Sequence, residues 1–171
     1  MNPIFETERL LFRPLELSDV DAFFEMNDNP NVNKFLRNPV TTKIEAGNYI
    51  QKIIDEYNKN GISRFAVFLR ENNKLIGFSG LKYRSQEENN HINFYDLGYR
   101  FSEEHWNKGY ATEAALFWLN YGFNEKNLSE IYASAVSENV ASNNLLKKLC
   151  FKMTNQYYVN NLLHSWYKIE K

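Results

Sequence analysis

Apolar and polar positions along this chain follow two rhythms, one of helices and one of strands. Ala46, Ile50, Ile53 and Tyr57 recur at helical spacing, as do Ala111, Ala115, Trp118 and Gly122. Each set marks one buried helix face. Thr42-Lys43-Ile44-Glu45 supplies a capping box ahead of the first set, and Asn60-Gly61 supplies a stop behind it. Phe65-Ala66-Val67-Phe68-Leu69 is apolar without interruption, the pattern of a strand covered on both faces. Further runs predict strands over Arg9–Leu15, Leu75–Tyr83, Tyr95–Phe101, Ile131–Val136, Phe151–Val159 and Leu162–Ile169. Helices are predicted from Ser18-Asp19, as a cap, to Met26 and over Val140–Leu149. Asn31–Leu36 reads as a short helical turn, Glu71–Lys74 and Asn160-Asn161 as hairpin turns, and Ser85–Asn90 as a polar loop. Gly77 and Gly80 mark bulges or close approach. The order β-α-α-β-β-β-α-β-α-β-β runs without repeat or linker. It predicts one α/β (α+β) domain over residues 1–171. The sheet should be antiparallel in its first half and partly parallel around the two C-terminal helices.

The strand ending at Phe101 feeds the helix beginning near Tyr110 through Asn107-Lys108-Gly109. Such a strand–turn–helix aims free backbone N–H groups outward. With the helix dipole they form an anion site.

Trp106-Asn107-Lys108-Gly109-Tyr110-Ala111 resembles the pyrophosphate loop of the GNAT N-acetyltransferases, Gln/Arg-x-x-Gly-x-Gly/Ala. Trp106 in first place resembles the branch that acetylates ribosomal-protein N-termini. Asn139-Val140-Ala141-Ser142 followed by Leu149-Cys150-Phe151 resembles the family's Asn-x-Ala-Ser…Leu-Gly-Phe. Thr7-Glu8-Arg9-Leu10-Leu11-Phe12-Arg13-Pro14-Leu15 resembles that branch's first strand.

The resemblance implies a mixed, mostly antiparallel sheet flanked by helices, and acetyl transfer from acetyl-CoA to a primary amine. Trp106, Asn107, Lys108, Gly109, Tyr110 and Ala111 would hold the pyrophosphate. Phe101 would bond the pantetheine arm through its backbone, and the Tyr99 N–H would polarise the thioester carbonyl. Asn139 would bond the arm, and Ser142 would sit near the sulfur as proton donor to the thiolate. The side chains of Tyr99 and Phe101 are read as packing. Many relatives carry a tyrosine further along the helix after Ser142; here that helix continues Asn143-Asn144-Leu145-Leu146-Lys147-Lys148. Asp96 is the first candidate for the base that frees the amine. Glu103, Glu104, Glu113, Tyr83, Tyr95 and His91 stand behind it. The acceptor groove should lie between Asn29–Leu36 and the last hairpin, where His164 is either an ordinary strand residue or faces the groove. Few charges line these segments, which favours a protein N-terminal α-amine over a polyamine, with a small-molecule amine as the alternative.

Composition narrows the partners. The formal net charge is −1, against the basic excess of a nucleic-acid binder. The single cysteine, Cys150, permits no internal disulfide and suits a reducing, cytoplasmic setting. It replaces the family's glycine and is expected to be buried and inert. The N-terminus has no signal-peptide pattern, no apolar run reaches membrane-spanning length, and the three histidines lack ligand spacing, so no metal is expected. The protein would be a monomer or homodimer. A non-catalytic acyl-CoA sensor and a generic nucleotide-binding α/β domain are the rival readings.

Overall fold

The computed structural model describes residues 3–171. Its strands are β1 (Phe5–Glu6), β2 (Leu10–Pro14), β3 (Arg64–Leu69), β4 (Leu75–Arg84), β5 (Phe94–Phe101), β6 (Glu130–Val136), β7 (Lys152–Val159) and β8 (Leu162–Glu170). Its helices are α1 (Val20–Asn27), α2 (Pro30–Asn33), α3 (Lys43–Asn60), α4 (Tyr110–Asn120) and α5 (Val140–Lys148). One sheet of eight strands runs in the order β1-β2-β3-β4-β5-β6-β8-β7. Every neighbouring pair is antiparallel except β5 and β6.

Two apolar layers hold the sheet. On one face Trp118, Ala114 and Ala115 of α4 and Leu146 of α5 pack on Phe12, Phe65, Val67, Leu97, Phe101 and Ala133. On the other, Phe23 and Met26 of α1 and Ala46, Ile50 and Ile53 of α3 pack on Ala66, Phe68 and Phe78. The uninterrupted run in β3 is thereby covered on both sides, as its pattern predicts. A smaller aromatic cluster of Phe94, Tyr132 and Trp166 continues the second face.

The Thr42–Glu45 capping box forms, and Gly61 ends α3 at φ 70°. Asp19 does not cap α1; its carboxylate closes a 3-10 turn by accepting from the Glu16 N–H and is paired with Arg13 at 2.6 Å. β1 is an added strand that pattern alone did not predict, because its two residues are too short to show a period. The expectation of two parallel units is corrected: β8 lies between β6 and β7, so only the β5–α4–β6 unit joins neighbouring parallel strands.

Cys150 is corrected as well. It is exposed, at φ 68°. Its N–H donates to Lys147 O and the Phe151 N–H to Leu146 O, both at 3.0 Å, which is the Schellman closure that a glycine makes without strain.

Candidate active site

β5 pairs with β4 along its whole length, and β6 does the same with β8. Between β5 and β6 the one registered pair is Asp96 with Tyr132. Beyond it the strands part, and a pocket opens that is lined by Leu97, Gly98, Tyr99, Ala133, Ser134, Ser142 and Leu146. The Ser102 N–H donates to Ile76 O of β4 at 2.9 Å. By the alternation of an antiparallel ladder, Arg100 and Gly98 also turn their N–H groups to β4. Tyr99 and Phe101 therefore turn theirs toward the parting, where no strand receives them. The Phe101 carbonyl on that side accepts from the Trp106 indole N–H at 2.8 Å.

The turn at the end of β5 has Asn107 at φ 58° and Gly109 at φ 83°. Asparagine tolerates this conformation and glycine adopts it freely. α4 then starts at Tyr110 with no side chain capping it, so its first N–H groups point outward without an intrahelical acceptor. Arg9 lies beside them. Its Nη1 donates to the Lys108 carbonyl at 2.9 Å, its Nε pairs with Glu113 at 2.7 Å, and its guanidinium covers the Tyr110 ring at 4.6 Å. A Cβ placed on Gly109 would stand 3.2 Å from Arg9 Nη2. Sequence reasoning treated Arg9 only as part of a strand. The signal for its place here is spatial, the meeting of β2 with the first turn of α4.

Asn139 caps α5, accepting from the Ser142 N–H at 3.2 Å. The Ser142 hydroxyl lies 3.0 Å from the Tyr99 hydroxyl, and burial pushes the Tyr99 phenol up to about 12. The Tyr99 side chain, expected only to pack, thus reaches the serine from β5. It brings a phenol to the cleft although α5 carries no tyrosine.

The carboxylate expected as base is committed elsewhere. Asp96 is buried, 2.9 Å from Arg64 Nη2 and 3.1 Å from Arg84 Nε. Burial alone would raise its pKa, but the charges of Arg64 and Arg84 outweigh that and hold it below the ordinary carboxylate value. Such a group is a structural ion-pair centre and a poor proton acceptor near neutral pH. Glu113 takes hydrogen bonds from the Thr7 hydroxyl and the Arg9 N–H. Glu103 is held by the side-chain amides of Asn29 and Asn31, both at 2.7 Å, and Glu104 by Lys74 at 2.6 Å. Tyr83 donates to Asn93, Tyr95 packs against Tyr83 with the rings tilted, and His91 packs on Tyr132.

The carboxylate that sequence reasoning missed is Glu88, in the polar loop after β4. It pairs with Arg37 at 2.7 Å and accepts from the Tyr157 hydroxyl at 2.6 Å. This ties the segment after α2 to the last hairpin. His164 lies behind, its Nδ1 3.5 Å from Arg37 Nη2. Burial first, then the Arg37 charge, push its imidazole down to about 4.

Among the described residues no cluster of His, Cys, Asp or Glu is arranged to hold a metal, and no helix is long and apolar enough to cross a membrane.

Comparison with known proteins agrees with this geometry. A family model described as an acetyltransferase (GNAT) domain matches residues 9–152. The uncharacterized N-acetyltransferase p20 of Bacillus licheniformis is 34% identical over 147 residues, covering 85% of this chain and 80% of that one. A crystal structure of a GNAT-family acetyltransferase from Bacillus anthracis superposes with TM-score 0.80 at 29% identity, over 98% of each chain. The ribosomal α-N-protein acetyltransferase RimL, solved in complex with coenzyme A, superposes with TM-score 0.80 over 98% of each chain. Its identity is 16%, so that likeness is one of fold.

Proposed function

The chain belongs to the GNAT acetyltransferases, and on that premise we propose that it moves acetyl from acetyl-CoA to a primary amine by direct attack, with no acyl-enzyme, the lead acceptor being a protein N-terminal α-amine. One relationship carries the reading. The uncapped start of α4 lies at the end of the strand whose unpaired Tyr99 and Phe101 N–H groups line a cleft, and that cleft reaches the Ser142–Tyr99 hydroxyl pair.

These residues fit the coenzyme. The amides of residues 109–112, with Arg9 and Lys108 near them, suit its pyrophosphate, each helix-terminus contact being worth about 0.3–1 kcal/mol. The edge of β5 suits the amides of its arm. When bound, the coenzyme supplies an activated acyl group on a good thiolate leaving group. The Tyr99 N–H stabilises negative charge on the carbonyl oxygen, a role worth about 3–4 kcal/mol in other enzymes. As the new N–C bond forms and the C–S bond breaks, Ser142 gives a proton to the departing sulfur, Tyr99 replenishes it, and a proton from water restores the tyrosine. The amine loses one proton to water. An α-amine, with an ordinary pKa of about 7.7–8.0, is partly neutral near physiological pH, whereas an ε-amine near about 10.4 needs a base. With Asp96, Glu103, Glu104 and Glu113 all engaged, an acceptor that brings its own neutral amine is favoured.

The test is thiol release from acetyl-CoA across peptides with free N-termini, amino acids, polyamines and aminoglycosides. Acetylated peptide N-termini are expected. Tight acetyl-CoA binding with no thiol release for any amine would overturn the reading in favour of a sensor.

A further inference from the structure

Arg9, Arg13, Arg37, Arg64, Arg70 and Arg84 each have a carboxylate at 3.2 Å or closer. Arg100, the remaining arginine of the chain, has none among the described residues. Its one hydrogen-bond partner there is neutral: Nη1 donates to Asn27 Oδ1 at 2.6 Å. Asn27 is fully buried and fixed by its own Nδ2, which donates to Phe23 O. The guanidinium rests on two rings, 4.9 Å from the centre of Phe78 and 5.6 Å from that of Tyr49. A largely enclosed cation without an anion is a costly arrangement that packing alone does not call for.

Its position gives the reason. Arg100 alternates with Asp96 and Gly98 on β5, on the face toward α1 and α3. The Asp96–Tyr132 register sets it level with Val136, whose β8 partner is His164. Its backbone therefore lies beside the parting of β5 and β6, next in sequence to Tyr99 and Phe101, and its side chain leaves on the face opposite α4 and α5. Because α4 and α5 cover the other face, a second substrate would have to reach a thioester held in the cleft from this one. The same face holds two further buried ring nitrogens without a protein partner, His164 Nε2 and Trp166 Nε1. Carboxylates on this face are already paired: Asp96, Glu88 and Asp19 with arginines and Glu56 with Lys82.

We propose that Arg100 determines acceptor specificity: the acetyl acceptor is an amine that bears a carboxylate close to the reacting nitrogen, and the Arg100 guanidinium binds that carboxylate. The proposal rests on the acetyl-transfer reading and narrows it, setting polyamines and aminoglycosides aside. The carboxylate belongs either to an acidic side chain at the start of a polypeptide or to a free amino acid.

Matched pairs test it on the full chain. A serine-initiated peptide with aspartate second is compared with its asparagine counterpart, and glycine with glycinamide, by thiol release corrected for the fraction of free amine. At least a tenfold advantage in kcat/KM, mainly through KM, is expected for the carboxylate member of one pair; which pair identifies the source. Arg100→Gln should abolish the advantage and Arg100→Lys should keep part of it, with coenzyme A affinity unchanged in both as a check on folding. Equal kcat/KM within both pairs would overturn the proposal while leaving acetyl transfer intact. Should no amine react, calorimetric titration of the same four compounds into the coenzyme A-saturated protein decides it. A tenfold tighter carboxylate member, lost in Arg100→Gln, supports the anion site although acetyl transfer falls; equal affinities overturn it.

Discussion

The Tyr99 and Ser142 hydroxyls lie 3.0 Å apart across the cleft between β5 and α5. Among the described residues, this pair is where two proton-bearing side chains meet beside the unpaired N–H groups of β5. Ser142→Ala should lower kcat by about tenfold, below the roughly 10²–10⁴-fold usual for loss of an acid, because a thiolate leaves easily. Tyr99→Phe should give a smaller drop in the same direction. Coenzyme A affinity, measured by calorimetry, should stay within about twofold in both. Full activity in Ser142→Ala would remove the serine from the proton path.

Gly109→Glu tests the anion site. A side chain at φ 83° is strained, and its Cβ would meet Arg9 Nη2 at 3.2 Å. The added carboxylate would also oppose a pyrophosphate across the start of α4. Coenzyme A affinity should fall by about a hundredfold or more, roughly 3 kcal/mol, while the far-UV circular dichroism is kept. Unchanged affinity would place the coenzyme elsewhere.

His164 gives a stability signature in pH. Its folded value of about 4 lies below the ordinary 6.5. Between these values the unfolded chain binds a proton that the folded chain does not, so stability falls as pH drops from 6.5 toward 4. His105, which burial also lowers, shares the window. The thermal midpoint of His164→Asn, followed from pH 7 to 4.5, should therefore decline less steeply than that of the parent. Parallel profiles would mean that His164 titrates normally.

Cys150 occupies a left-handed position at φ 68°. Cys150→Gly should stabilise the protein by about 1 kcal/mol, raising the midpoint by roughly 2–4 °C. A lower midpoint would show that the thiol side chain contributes contacts that outweigh the backbone strain.

Most of the elements were legible because their causes are local. The spacing of Ala115, Trp118 and Gly122 becomes the buried face of α4 and its continuation, and Thr42 and Glu45 cap α3 through neighbouring backbone. Gly77 and Gly80 are sites of close approach, their absent Cβ atoms falling 2.3 Å from Arg100 O and 2.2 Å from Ser63 O. The left-handed turn at Asn107 and Gly109 follows from residue types that accept positive φ.

The fates of the charged and hydroxyl groups were not legible. Asp96 meets Arg64 across a separation of 32 residues, Tyr99 meets Ser142 across 43, and Arg37 meets His164 across 127. By itself the sequence determined where all but the shortest strands and the helices form, which turn exposes its amides and which strand leads into that turn. These depend on side-chain period and on backbone freedom within a few residues. Only the tertiary structure decided that β8 enters between β6 and β7, that Asp96 is consumed by two arginines, and that Arg100 is left without a carboxylate among the described residues. Whether a charge is neutralised depends on which distant strand the chain lays beside it, and no local pattern encodes that distance.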